Sequence, residues 1–304
     1  MIRIGVDFGG TKIEAAALAP AGEVVARVRR PNPGGYDAAL TVVRDLVAEV
    51  ERLAGPGTVG LGIPGSLSPR TGRVRGANST WLNDRSFRED LEVALARPVR
   101  LANDANCLAL SEASDGAAAG APVVFAVIVG TGCGGGLVVD GRIVEGANGI
   151  GGEWGHTPLP WPSAEEATRA PCWCGRPLCM ELFVSGPGFE ADHRLTTGRD
   201  WRVPAIMYAA RAGDPQAGAA FDRYVDRLGR GLAVICDVVD PDVFVFGGGV
   251  SNVPELYERV RPVMARWMFS DVCETRLVQA KHGDSSGVRG AAWLWPQPDL
   301  SSRP

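Results

Sequence analysis

One pattern occurs twice in this chain: an apolar strand, a Gly/Thr-rich turn, a second strand, a glycine and a third strand. That recurrence restricts the fold more than any composition figure. In the first copy, Ile2–Val6 and Ile13–Leu18 flank "DFGGTK" (7–12), and Gly22 leads into a third strand, Glu23–Val28. In the second, "FAVIVGTGCGGGLVVDGRIV" (125–144) reads strand, turn, strand, turn, strand. There Gly141-Arg142-Ile143-Val144 stands where Gly22-Glu23-Val24-Val25 stands in the first. Repetition of such a unit predicts a duplicated α/β domain with a cleft between the copies.

The rest of the chain fits that plan. Leu40, Val43, Leu46, Val47 and Val50 recur at the helical period. Val59–Ile63 is a short buried strand running into "GIPGSLSP", a loop fixed by Pro64 and Pro69. Val99–Ala102 is a strand, and "NDANCLALSEA" (103–113) opens a helix. Residues 221–239 are helical with Leu228, Leu232 and Ile235 on one face, and "DVFVFGGGVS" (242–251) is an apolar strand running into three glycines. The expected division is an N-terminal α/β domain, 1–117, rejoined by a C-terminal helix at about 290–304, and a larger C-terminal α/β domain, 118–289.

The 304 residues are 45% hydrophobic and 22% charged, enough for real cores. A net charge of −4 argues against nucleic-acid and membrane-surface partners. No apolar run approaches the roughly 20 residues of a membrane span. The chain enters a strand at once, without the layout of a signal peptide, so the expected address is cytoplasmic.

Gly130-Thr131-Gly132-Cys133-Gly134-Gly135 has the letters of a dinucleotide fingerprint, but a strand pair follows it where a helix is needed. Neither turn fits a Walker A loop. Each turn alone is a tight hairpin as readily as an anion site. Glycines let backbone N–H groups approach an anion, and Thr11 and Thr131 add hydroxyls. A hairpin needs neither Asp7 nor Lys12. Two matched turns, one with an acid and a cation, favour a phosphate cradle in which Asp7 holds a hydrated magnesium ion.

Of seven cysteines, Cys107, Cys133, Cys236 and Cys273 are scattered, while Cys172, Cys174 and Cys179 cluster downstream of His156. Three thiolates and an imidazole suit a closed, structural tetrahedral zinc; packed, metal-free cysteines are the bland alternative. Asn103 and Asp104 end a strand and start a helix, so either serves as an N-cap. The carboxyl end of a strand in an α/β domain is also where ligands bind.

"DFGGTK", "VGTGCGGG" and "VFGGGVS", in that order, resemble the three nucleotide-binding segments of the actin/hexokinase/Hsp70 ATPase fold. "NDAN", "EWGH" and "CWCGRPLCME" make the resemblance specific to the ROK family of sugar kinases and repressors, over nearly the whole chain. The family pattern is E-x-G-H, then C-x-C-G-x-x-G-C-x-E; here Leu178 replaces its last glycine. The resemblance implies ATP bound by Asp7, Gly9, Gly10, Thr11, Lys12, Gly130, Thr131, Gly132, Gly247, Gly248 and Gly249, with magnesium. It implies Asp104 as general base, and Asn103, Glu153, His156 and Glu181 on sugar hydroxyls, with Asn78 a further candidate contact. A homodimer is the family expectation.

"STWLN" (79–83), "PLPW" (158–161) and the tail "KHGDSSGVRGAAWLWP" (281–296) look most like the family's bacterial fructokinases, of the manno(fructo)kinase type. The expected acceptor is therefore D-fructose. N-acetylglucosamine, N-acetylmannosamine and glucose kinases of the same family are the alternatives. Trp81, Trp154 and Trp161, in or beside these motifs, are expected to fill the room an N-acetyl group would need, with Trp81 also packing. A sugar-responsive repressor is disfavoured, because the family's repressors carry a helix-turn-helix before the first strand and here the cradle starts at residue 7.

Overall fold

The computed structural model describes residues 1–295; the expected helix at about 290–304 therefore lies partly outside the described residues. Strands β1 (Ile2–Phe8), β2 (Lys12–Leu18) and β3 (Val24–Pro31) lead into helix α1 (Tyr36–Ala54) and strand β4 (Gly57–Ile63). A short pair, β5 (Ser66–Leu67) and β6 (Val74–Arg75), precedes α2 (Phe87–Leu95), β7 (Val99–Asn103) and α3 (Asp104–Asp115). Next come β8 (Val123–Val129), β9 (Cys133–Val139) and β10 (Arg142–Ile143). Helices α4 (Glu181–Val184), α5 (Gly186–Thr197), α6 (Val203–Arg211) and α7 (Pro215–Val239) follow. The described part finishes with β11 (Val243–Gly247), α8 (Glu255–Trp267), β12 (Arg276–Gln279) and α9 (Ser286–Trp293).

The described chain forms two compact units, one of residues 1–120, 141–151 and 281–295, the other of 121–140 and 152–280. The sequence boundaries at 117/118 and 289/290 thus differ from the structural ones. Long-range bonds between side chains and backbone explain the difference: the Arg75 guanidinium donates to the Asn148 carbonyl at 2.6 Å, and the Lys281 N–H to the Glu112 carboxylate at 2.9 Å.

In the first unit the sheet order is β3-β2-β1-β4-β7. β1 pairs antiparallel with β2 and parallel with β4. Being central, β1 is apolar nearly throughout, as a strand covered on both faces must be. Helix α1 buries Ala39, Val43, Leu46, Val47 and Val50, the stripe its period foretold. Helix α9 lies on β1 and β4 at backbone contact. Gly5 and Gly60 are register partners, and a Cβ on them would stand 1.9 Å from the Val288 carbonyl oxygen and 2.0 Å from that of Ala291. No other residue fits at either place.

In the second unit the strand order β9-β8-β11-β12 repeats β2-β1-β4-β7, antiparallel once and then parallel twice. Its helices bury a continuous apolar cluster that includes Phe125, Phe183, Phe189, Tyr224 and Phe246. A buried ion network anchors the loop after His156. Glu166 accepts from Arg227 at 2.7 Å and Arg230 at 2.8 Å, and Asp192 accepts from Arg169, Arg223 and Arg227. Arg230 also donates to the Pro160 and Trp161 carbonyls. Among the described residues no helix is long and apolar enough to cross a membrane.

Glu112 on α3 fixes α9 to the first unit. It is fully buried, and its carboxylate accepts from Ala117, Lys281 and His282 N–H groups and from the Ser286 hydroxyl, at 2.8–3.1 Å. Burial opposes its charge, but these donors outweigh burial and hold its pKa below 4.5. A depressed carboxyl stabilises the fold above its unfolded pKa and loses that contribution as pH falls through the folded value. Urea melts of parent and Glu112→Gln from pH 7 to pH 3 will show the variant about 2–3 kcal/mol less stable at neutral pH, the gap narrowing in acid.

Candidate active site

In the first unit the turn Gly9–Thr11 joins β1 to β2, placing Asp7 opposite Glu14. A Cβ on Gly9 would stand 2.8 Å from the Lys12 carbonyl oxygen, which explains the glycine. Asn32 clamps the turn, its side chain donating to the Gly9 carbonyl at 2.8 Å and its N–H to that of Thr11 at 2.9 Å. Sequence reasoning missed Asn32, although "NPGG" (32–35) marks a turn there. Glu14 is neutralised by Arg27 and Arg29. Gly10 and Thr11 are exposed, leaving their polar groups open to a ligand.

Asn103 and Asp104 sit where β7 becomes α3. Asn103 performs the capping role, accepting the Ala105 N–H at 2.8 Å while donating to the Gly65 carbonyl at 2.9 Å. Asp104 is exposed and also accepts the Ala105 N–H at 2.8 Å. The capping reading is thus met by Asn103, while Asp104 presents an exposed carboxylate at the start of α3. Asn78 is exposed in the loop before Thr80–Leu82, and that loop is held by Asn83 bonding both ways to Ala77.

Burial, followed by the charges of Asp104 and Glu14, pushes Asp7 up to about 6, against Lys12 and Arg29. Gly287 of α9 lies beside it; a Cβ there would meet the Asp7 carboxylate at 3.0 Å. Two coupled carboxylates beside a lysine and a glycine turn form a site that a divalent cation would relieve.

In the second unit, Gly130–Gly132 turns between β8 and β9, closed by the Gly130 N–H donating to Gly132 at 3.0 Å. Gly247 ends β11 beside Ile128 in register. Gly248 has φ +85°, and a Cβ on it would stand 2.6 Å from the Val129 backbone. Gly249 faces open space.

Glu153 is exposed before the turn Trp154–His156. Glu181, at the start of α4, accepts the Cys133 N–H at 2.9 Å and the Trp173 indole N–H at 2.6 Å. Its Oε2 lies 2.8 Å from where a Cβ on Gly132 would be, so this carboxylate abuts the glycine turn.

The ligand atoms of His156, Cys172, Cys174 and Cys179 all lie within 4.8 Å of one another. The Cys174 and Cys179 sulfurs are 3.5 Å apart, and the Cys172 sulfur is 3.8 Å from His156 Nδ1. Ligands about 2.0–2.3 Å from a tetrahedral zinc stand roughly 3.3–3.8 Å from each other, the spacing of these two pairs, and all four atoms are near enough to converge on one ion. Leu178 has φ +60°, in the left-handed region. The family pattern places glycine there, and leucine carries a strain of about 1–2 kcal/mol.

The three tryptophans expected to fill the acceptor pocket are otherwise engaged. Trp154 is buried and donates to the Gly134 carbonyl at 2.7 Å. Trp81 packs edge-on against Phe8 at 5.9 Å, and Trp161 stacks on Trp267 at 4.6 Å. Each ring thus has a protein partner, although Trp161 remains half exposed.

Because the Asp7 pKa is raised, the folded chain retains a proton that the unfolded chain releases. Stability is therefore lost as pH rises from 3.8 to about 6. Asp7→Asn is expected to stabilise the ligand-free protein by about 2 kcal/mol at pH 8 and by nothing below pH 4, as measured by chemical denaturation.

Comparison with known proteins follows the same lines. The ROK family model matches residues 3–298. An N-acetyl-D-glucosamine kinase from Escherichia coli O6:H1 (strain CFT073) is 39% identical over 296 residues, covering 95% of this chain and 98% of that protein. Its counterpart from Pectobacterium atrosepticum is 38% identical, with 95% and 97% covered. Among solved structures, a ROK hexokinase from Thermus thermophilus superposes with a TM-score of 0.86 at 33% identity, covering 96% of this chain and 97% of that one. A ROK family glucokinase from Streptomyces griseus, solved with glucose and AMPPNP, gives 0.77 at 28% identity, with 98% and 100% covered. This chain therefore belongs to the ROK family.

Proposed function

We propose that this chain is an ATP-dependent hexose kinase with Asp104 as general base. The carrying observation is an exposed carboxylate at the start of α3, next to the Asn103 cap and sharing the Ala105 N–H with it. Asp104 accepts the proton of the attacking sugar hydroxyl, whose oxygen bonds to the γ-phosphorus as the bond to ADP breaks. A carboxylate is a modest base, so positioning supplies much of the acceleration.

Asp7 holds magnesium, which neutralises phosphate charge when bound. Gly9, Gly10, Thr11 and Lys12 in one unit, and Gly130, Thr131, Gly132, Gly247, Gly248 and Gly249 in the other, are the proposed ATP contacts. Asn78, Asn103, Glu153, His156 and Glu181 orient the sugar. His156, Cys172, Cys174 and Cys179 hold a structural zinc; four protein donors leave no open position for chemistry. Such thiolates suit a reducing cytoplasm, and a homodimer is the family expectation.

Two acceptors have specific support. The N-acetyl-D-glucosamine kinases 38–39% identical to this chain support N-acetylglucosamine, and this reading has the broader basis. "STWLN" and "PLPW" support D-fructose through their resemblance to fructokinases.

Initial-rate assays with MgATP and a panel of hexoses will separate the two. A kcat/KM at least about tenfold higher for one sugar, or about 1.4 kcal/mol, decides between them; activity on no hexose overturns the kinase reading. Asp104→Asn is expected to lower kcat by about 10²–10⁴-fold while ATP still binds. Metal analysis is expected to find one zinc per chain, and a fully active metal-free protein would remove that assignment.

A further inference from the structure

Trp173 sits between two of the clustered cysteines, Cys172 and Cys174. It is 75% exposed, more than Trp161 at 51% or Trp267 at 37%, which stack on each other. Its orientation is nonetheless fixed. The indole N–H donates to Glu181 Oε1 at 2.6 Å, and the ring meets the His156 ring nearly at right angles, with centroids 5.1 Å apart. Both neighbours are residues proposed to bind the sugar.

Two consequences follow from elementary chemistry. A carboxylate has about four lone-pair sites; the Trp173 indole and, weakly, the Cys172 sulfur lie on Oε1 and the Cys133 N–H on Oε2, so Glu181 is oriented yet keeps a site for a sugar hydroxyl. The exposed indole face carries the negative side of a ring quadrupole, which attracts the weakly positive C–H bonds of a sugar ring. A hexose bonded to Glu181 comes within reach of that face.

We infer that Trp173 is a specificity-determining residue of the acceptor site: it orients Glu181 through its indole N–H and stacks on the apolar C–H face of the hexose ring. This rests on the hexose-kinase reading. Neither the zinc donors nor the apolar core requires an exposed ring at this position, whereas a sugar-binding carboxylate does gain from one.

The test begins with the parent enzyme and its preferred hexose. Trp173→Ala is expected to raise KM for the hexose roughly tenfold or more and to leave KM for MgATP within about twofold. Trp173→Phe keeps a ring but loses the donor, and its hexose KM should fall between the two. Titrating the hexose into the ATP-free parent should shift tryptophan emission to the blue, and Trp173→Phe should abolish that shift. Zinc content is measured for every protein; if Trp173→Ala loses zinc, Trp173→Phe carries the comparison. Unchanged hexose KM and an unchanged emission shift in a zinc-replete Trp173→Phe overturn the assignment and leave the kinase reading intact. A parent that phosphorylates no hexose overturns both.

Discussion

The first unit depends on one contact between backbones. Helix α9 rests on β1 and β4 where Gly5 and Gly60 leave a floor without side chains, and Gly290 brings α9 equally close to the Cys107 carbonyl of α3. Contact this close fixes height as well as direction. It therefore sets where Gly287 meets Asp7, and where α3 presents Asp104. Burial of apolar side chains is non-directional, so alone it would define the height of such a helix less sharply. Glu112 adds what packing lacks: a buried charge with four donors that no shifted arrangement would satisfy.

A carboxylate plays a comparable part in the second unit. Glu181 gathers an N–H from the glycine turn and one from the cysteine loop, tying two segments distant in sequence to the start of α4. The Glu166–Asp192 network holds the same loop further along through arginines of α7. A buried ion network contributes little net stability over an apolar substitute, but breaking one member is severe, so it restricts the loop to one placement.

Much of this was legible in the sequence for physical reasons. Strands covered on both faces must be apolar, so β1, β8 and β11 announced themselves, and close turns must be glycine-rich. Three cysteines and a histidine at short spacing suit a metal ion far better than they suit ordinary core packing. The N-cap at the start of α3 was legible too, and Asn103 supplies it. What escaped was direction and distance. Tryptophan reveals how much surface a residue brings, not which way it faces: Trp154 turned inward, Trp161 found Trp267, and Trp173 stayed in the open. Leu178 shows the same limit, since its left-handed backbone is imposed by the loop and not by leucine. The unit boundaries were displaced because the bonds that decide them, at Arg75 and Glu112, join residues far apart in the chain.

The placement of α9 also bears on the order in which the protein is made. Synthesis proceeds from the N-terminus, so β1 and β4 leave the ribosome long before the helix that covers Gly5 and Gly60 exists. Until residues 286–293 emerge, that face of the sheet is uncovered and Glu112 is a carboxylate without most of its donors. The second unit has all its strands and helices by Ala280 and can close first. The earliest part of the chain to be made is thus the last to be completed, and a nascent chain stalled short of α9 carries an open sheet for chaperones to recognise.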